Sequence, residues 1–206
     1  MAEMMKGNEA IAEAAIRAGA RFYAGYPITP SSEIMEYLSW RMNEVGGAFV
    51  QAESELAGIN MVIGASSCGV RALTASSGPG ISLKQEGIST LCDEGLPAVV
   101  ITQVRYGNGL GTLFTSQCDY HRETRGGGQG DYRCIVLCPS SIQEFVDLML
   151  PAYELAEKYR IVTIMMGEGT LGQMMEPVEL PDFKDHDINK FDWAVRGCKE
   201  DEPMRA

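Results

Sequence analysis

Histidine and tryptophan are the scarcest features of this 206-residue sequence, with two of each. Neither His121 nor His186 sits in a recognisable nucleophile–base motif, so a Ser-His-Asp hydrolase is poorly supported. Basic residues are also short: 17 Lys and Arg against 28 Asp and Glu, a net charge of −11. A field of that sign repels phosphate backbones and anionic lipid, which argues against nucleic acid or a membrane as partner. No apolar run approaches the ~20 residues needed to span a bilayer. The opening Met1–Gly7 has neither a basic segment nor an apolar one, so no secretory leader is read and a cytoplasmic protein is expected. The six cysteines, at 68, 92, 118, 134, 138 and 198, form no Cys-x-x-Cys pair. Zinc and iron–sulfur frameworks need closer local pairs, so the thiols read as buried and reduced, and no metal site is assigned. Phosphate loops of the GxxxxGK[ST] type, a GxGxxG after the first strand, and HExxH are all missing.

What is present is an alternation. Hydrophobic residues make up 45% and charged residues 22%, which fits a globular domain. Helical spacing covers Gly7–Ala18, with a cap near Asn8, and a short strand follows at Arg21–Gly25. A second helix carries Ile34, Leu38 and Met42 on one face and stops at Gly46-Gly47. Strands at Ala48–Gln51, Arg71–Ser76, Pro97–Val104, Cys134–Cys138 and Ile161–Met166 are separated by helices over Glu53–Ser66, from Gly80 to about Leu91, and from Ser140 to Tyr159. Between Tyr106 and Asp131 lies a Gly-rich polar stretch longer than an ordinary connection, which marks it as a functional loop. The pattern predicts an α/β fold: a doubly wound, mainly parallel six-stranded sheet with helices on both faces and ligands at the carboxyl ends of the strands. Residues 1–181 form that domain. Residues 182–206 turn polar and read as a C-terminal arm or linker.

Three segments follow predicted strands and open helices. In Gly25-Tyr26-Pro27-Ile28-Thr29-Pro30-Ser31-Ser32-Glu33, Thr29 can cap the next helix with Pro30 in its first turn, or turn its hydroxyl to a ligand. In Gln51-Ala52-Glu53-Ser54-Glu55, the two glutamates suit a helix N-terminus as surface residues, or one of them serves a site. In Ser76-Ser77-Gly78-Pro79-Gly80, small residues permit close backbone approach. Arg105, just past the most apolar strand, is either an inert exposed arginine or a fork for a carboxylate.

Taken in order with Lys6-Gly7-Asn8-Glu9-Ala10-Ile11-Ala12 and Met174-Met175-Glu176-Pro177-Val178-Glu179-Leu180-Pro181, these segments resemble the 2-oxoacid:ferredoxin oxidoreductase family over residues 6 to 181. The similarity is to the subunit that binds the pyrimidine half of thiamine diphosphate. Gln51–Glu55, Ile81–Ser89 and Gly126–Arg133 are most similar to branched-chain, 2-oxoisovalerate (3-methyl-2-oxobutanoate) members. The resemblance implies oxidative decarboxylation of a 2-oxoacid with coenzyme A, giving acyl-CoA and CO2 and passing electrons to ferredoxin. It implies that Glu55 hydrogen-bonds the cofactor's aminopyrimidine ring as the catalytic residue, with Glu53 the weaker candidate. Pro27, Ser77 and Gly78 join Glu55 around the cofactor, while Thr29 and Arg105 meet the substrate. The 2-oxoglutarate or pyruvate enzymes are the alternative, and a non-enzymatic α/β binding module a distant third. Arg105–Gly111 departs from the Arg-Gly-Gly-Pro-like stretch of many relatives. The Gly-Asp-Gly…Asn segment that holds Mg²⁺ and diphosphate in such enzymes has only Gly167-Glu168-Gly169 as a look-alike. Mg²⁺ and the 4Fe–4S clusters are therefore expected in partner chains: a thiamine diphosphate-binding beta subunit, a gamma subunit and a ferredoxin-like iron–sulfur subunit.

Overall fold

A computed structural model describes residues 2–195 and 197. Six of its strands form one parallel sheet: β2 (Phe22–Gly25), β3 (Ala48–Gln51), β4 (Ala72–Ser76), β5 (Ala98–Val104), β6 (Ile135–Leu137) and β7 (Val162–Glu168), in the order β3-β2-β4-β5-β7-β6. Alternate residues of the central strands enter two separate cores, as the period of a strand requires. Leu73, Ala75, Val99, Ile101 and Met165 pack under α1 (Gly7–Arg17), α2 (Ser32–Glu44) and α6 (Ile142–Tyr159). Ala72, Ala98, Val100, Val162 and Ile164 pack under α3 (Glu55–Ser67) and α4 (Gly78–Asp93). Every residue of β4 and β5 is buried, which is why β5 reads as a continuous apolar run.

The expected α/β architecture is the one observed, with differences at the element ends. A small antiparallel pair joins β1 (Glu3–Lys6) to β8 (Met175–Val178), a feature the sequence reading left out. Both are four-residue strands with exposed positions, too short to show alternation. Two short helices, α5 (Tyr120–Arg125) and α7 (Gly169–Gln173), were likewise not anticipated. Asn8 does not cap α1, which begins at Gly7; the asparagine lies inside the helix, fully buried. Thr29 is not a helix cap either: α2 begins at Ser32, and the Thr29–Pro30 peptide is cis. The third helix starts two residues later than expected, because the Ser54 hydroxyl accepts from the Ala57 N–H and fixes the cap there. That leaves Glu53 outside the helix.

α1 is buried on nearly all sides, including an acid. Glu13 accepts from Arg17 Nε at 2.8 Å, from Arg41 Nε at 3.0 Å and from the Tyr37 hydroxyl at 3.1 Å. Burial alone would raise its carboxyl, but these donors outweigh it and hold the group below the ordinary range. Residues after Pro181 run back along the same body. Lys184 N–H donates to Arg17 O, a His186 ring nitrogen meets Gly69 O, and Val195 N–H donates to Ser67 O, each at 2.8 Å. The expectation of buried thiols fails: Cys68, Cys118 and Cys138 are exposed at element ends and in the long loop, and Cys92 and Cys134 are half-buried, while Cys198 and the remainder of the expected arm lie outside the described residues.

The strongest tie on that side is Arg71, whose Nε and Nη2 reach Glu157 at 2.5 and 2.9 Å, with Lys190 adding a bond at 3.0 Å. Burial pushes Glu157 up, yet the hydrogen bonds and charge of Arg71, then Lys190, prevail and lower it. A carboxyl lowered by folding contributes stability that is present above its unfolded value and disappears as pH falls through the folded one. Glu157→Gln should cost about 3 kcal/mol at pH 7 in a urea titration, because a buried guanidinium loses its counter-charge. The gap between parent and variant should shrink below about pH 4.

Candidate active site

Chain order reverses direction between β2 and β4: β3 lies on one side of β2, and β4 with all later strands on the other. Such switch points leave a crevice at the carboxyl ends of strands. Here the crevice is real, because β2 and β4 pair only at Phe22↔Ala72 and Tyr23↔Leu73 and then part. Tyr23 is buried, and its hydroxyl meets the Ala75 backbone. Burial raises the phenol well above its ordinary range. A Cβ on Gly25 would strike that hydroxyl at 2.5 Å, so the residue ending β2 is held to glycine.

The segment leaving β2 is braced from below. Asn8 Nδ2 donates to Pro30 O at 2.6 Å and to Glu33 Oε2 at 2.9 Å, while Gln103 Nε2 donates to Asn8 Oδ1 at 3.0 Å. Gln173 reaches the same Pro30 carbonyl at 3.1 Å, and Lys6 pairs with Glu33 at 2.7 Å. Five side chains from four regions of sequence thus fix one turn. Its upper surface is left open: Thr29 is exposed, Tyr26 is exposed, and Pro27 is half-buried.

Arg105 is not an exposed surface residue. It is 7% exposed, with Nη1 donating to Thr29 O and Nη2 to Leu110 O, both at 2.7 Å. Its Nε is buried without a partner and faces Gly78; a Cβ there would sit 2.7 Å away. Gly78 adopts φ +48, so close approach and backbone conformation both call for glycine. Thr29, Arg105 and Gly78, far apart in sequence, therefore meet.

The two glutamates separate cleanly. Glu53 is exposed, whereas Glu55 is 7% exposed at the start of α3. The Glu55 carboxylate lies against Gly80, where an added Cβ would stand 2.7 Å from Oε1 and would also overlap Ser76 Oγ. No donor among the described residues hydrogen-bonds that carboxylate. The Ser76 hydroxyl, which borders the same glycine, and the Ser77 hydroxyl are buried with no partner among the described residues. Unmet polar groups of this kind cost free energy unless a ligand satisfies them. A carboxylate open to a ring nitrogen, a hydroxyl-lined wall and a glycine-flattened turn are the donor set that an aminopyrimidine would use. The residues present fit thiamine diphosphate's pyrimidine half.

Two further features escaped sequence reading. Lys84 is fully buried on α4, its ammonium donating to Glu55 O at 3.2 Å. Burial pulls it down to about 8, against the attraction of the Glu55 charge. Lysines at helical spacing are usually exposed, so nothing local marks this one. The second feature is α5, whose Arg122 binds Asp119 at 2.8 Å and Glu123 at 3.1 Å and donates to Gly78 O at 3.3 Å. Burial lifts Glu123 to about 7. The long loop is thereby pinned to the same glycine turn.

With this geometry in view, the class is defined by comparison. The family described as "Pyruvate flavodoxin/ferredoxin oxidoreductase, thiamine diP-bdg" matches residues 13–200, and the chain belongs to it. Among individual relatives, the ketoisovalerate oxidoreductase subunit VorB of Methanothermobacter marburgensis is 50% identical over 198 residues, covering 96% of this chain and 56% of that protein. The 2-oxoglutarate synthase subunit KorA of Methanocaldococcus jannaschii is 44% identical over 203 residues, covering 98% and 55%. The solved 2-oxoglutarate:ferredoxin oxidoreductase from Magnetococcus marinus, with 2-oxoglutarate, coenzyme A and succinyl-CoA bound, superposes with a TM-score of 0.81 at 30% identity, covering 98% of this chain and 34% of that one. The chain spans about half the length of the curated relatives it matches.

The buried lysine yields a pH signature. Its folded value near 8 lies below the ~10.4 of an unfolded lysine, so between these values the unfolded chain binds more protons and stability rises with pH. Lys84→Met should abolish that rise and raise stability at pH 7 by on the order of 2–3 kcal/mol. Denaturant titrations from pH 7 to 10.5 measure both.

Proposed function

We propose that residues 1–181 supply the aminopyrimidine-activating half of a thiamine diphosphate site in a 2-oxoacid:ferredoxin oxidoreductase acting on 2-oxoisovalerate. The observation that carries the reading is the contrast at Glu53 and Glu55, two acids two residues apart of which only the second is buried, against Gly80, with no donor on its carboxylate among the described residues. A non-enzymatic module would be favoured by an exposed Glu55, which is not the arrangement found. The branched-chain substrate is supported by the 50% identity to the ketoisovalerate subunit beside 44% for the 2-oxoglutarate one.

Bound thiamine diphosphate would supply the carbon nucleophile and the electron sink. Glu55 would hold a proton at the pyrimidine ring nitrogen, in a dry setting where that bond is worth more than in water. Ser77, Gly78 and Pro27 would hold the pyrimidine ring alongside Glu55. Arg105 has no acid within ion-pair distance among the described residues, though the Asp119 charge is felt there, and it would serve a substrate carboxylate that displaces a carbonyl from its fork; Thr29, whose carbonyl it binds, is exposed. Mg²⁺ and the diphosphate would be held outside these 206 residues, on a partner beta subunit. Gamma and iron–sulfur subunits would carry the electrons onward to ferredoxin, and coenzyme A would receive the acyl group. The exposed Leu56 and Leu83 border Glu55 and Lys84, and Leu110, Leu113 and Phe114 border Arg105, so an apolar rim is available for that assembly.

In the complete enzyme with saturating cofactor, Glu55→Gln should lower kcat by about 10²-fold or more, and Glu53→Gln far less. Wild-type turnover by the Glu55 variant would end the assignment. Arg105→Lys should raise KM for the 2-oxoacid by about tenfold or more, since the charge remains and the planar fork is lost. Comparing kcat/KM for 2-oxoisovalerate and 2-oxoglutarate decides the substrate. Calorimetry on the isolated chain should show weak thiamine diphosphate binding; tight Mg²⁺-dependent binding would refute the shared site.

A further inference from the structure

Two thiols separated by 42 positions in the sequence touch in the fold. Cys92, in the last turn of α4, and Cys134, just before β6, bring their sulfurs to 3.7 Å. That is van der Waals contact, with no atom between them, and a bond would need a closing movement of less than about 2 Å. Neither residue sits inside a ladder: one ends a helix, and the other follows the Gly126–Gly130 stretch, whose backbone can yield. Cys92 also lines a cavity of about 550 Å³, together with Ser89, Gln129, Gly130, Tyr132 and Arg133. Cys134 does not line it. Both cysteines are half-buried, and only Cys92 belongs to the lining of this cavity.

We propose that Cys92 and Cys134 are a dithiol that closes reversibly to an intramolecular disulfide by exchange with low-molecular-weight disulfides entering this cavity. Cys92 is the attacking sulfur. The neighbouring Cys134 S–H, then the surrounding backbone, favour its thiolate against the cost of burial, while Cys134 is held protonated. The Cys92 thiolate displaces one half of the small disulfide, giving a mixed disulfide and one small thiolate, which takes up a proton. Cys134 then attacks the Cys92 sulfur, forms the internal bond and expels the second half as a thiol. Two protein thiols lose two electrons, and one small disulfide becomes two thiols. No metal and no other oxidant is needed.

The bridge would tie α4 to β6 across the glycine segment. That segment already leans on α4, since Gly128 N–H and the Tyr132 hydroxyl both reach Gln85 Oε1, at 3.0 and 3.1 Å. Gln85 is the neighbour of Lys84, so the bond would fasten the loop to the helix that backs Glu55.

The test uses the purified chain and 2-hydroxyethyl disulfide, followed by alkylation and peptide mapping without reduction. The expected product is a Cys92–Cys134 cross-linked peptide, lost on addition of dithiothreitol. Cys134→Ser should instead accumulate a mercaptoethanol adduct on Cys92, and Cys92→Ser should slow modification of Cys134 at least tenfold. Stable separate adducts on both residues of the parent would overturn the proposal. So would a cross-link that forms only in urea, or a native chain in which Cys68, Cys118 and Cys138 react while Cys92 does not.

Discussion

The two-pair ladder between β2 and β4 is the constraint from which the site follows. Parallel neighbours ordinarily stay bonded to their ends, as β5 and β7 do over seven pairs. Here the ladder stops at Tyr23↔Leu73, and a buried phenol takes over, meeting the Ala75 backbone where the next strand bond would fall. Tyr23 also stacks on Phe49 of β3 at 5.6 Å, so it is locked from the far side. Beyond it the strands can separate without leaving the Ala75 backbone unmet. The turns after β2 and β4 enter the space so made, and Glu55 overlooks it from the start of α3.

The crevice is polar at its floor and stiff at its walls, for different reasons. The wall after β2 is held by amide and carboxylate side chains converging on Pro30 and Glu33; burial opposes the Glu33 charge, and Lys6 and the amides more than restore it. The wall after β4 is held by glycines that admit an arginine fork and a carboxylate closer than any Cβ would allow. Both devices place rigidity outside the ligand space and leave hydroxyls and Glu55 facing inward. Positioning of this sort is obtained before a ligand arrives, so little ordering remains to oppose binding.

Much of this was legible in the sequence, where strong local rules operate. The six parallel strands and their covering helices followed from periodicity, because apolar runs such as Ala98–Val104 answer to burial on both faces. The site segments fell at strand ends, where a doubly wound sheet must put them, and the preference for Glu55 over Glu53 came from resemblance, not spacing. Long-range packing was invisible. Thr29 and Pro30 suited a helix cap by residue type, yet Arg105 and Asn8 claim their carbonyls from 76 and 22 positions away. Lys84 looks like any helical lysine until α3 covers it. Cys92 and Cys134 carry no local pattern, since their meeting depends on how α4 and the strand after the loop are laid side by side.

The antiparallel pair β1–β8 joins residues about 170 positions apart, and Gly7 N–H donates to Met174 O at 2.9 Å. α1, buried along nearly its whole length, thus has its first turn completed by a segment that follows the entire intervening sheet in the chain. Closing so long a loop is entropically dear and gains nothing until the intervening sheet exists. The strands and helices between the two segments must therefore be made before α1 can seat, and its apolar side must be sheltered or tolerated in the meantime. The helix that anchors Asn8 beneath the site is thus early in sequence and late, relative to the sheet it covers, in assembly.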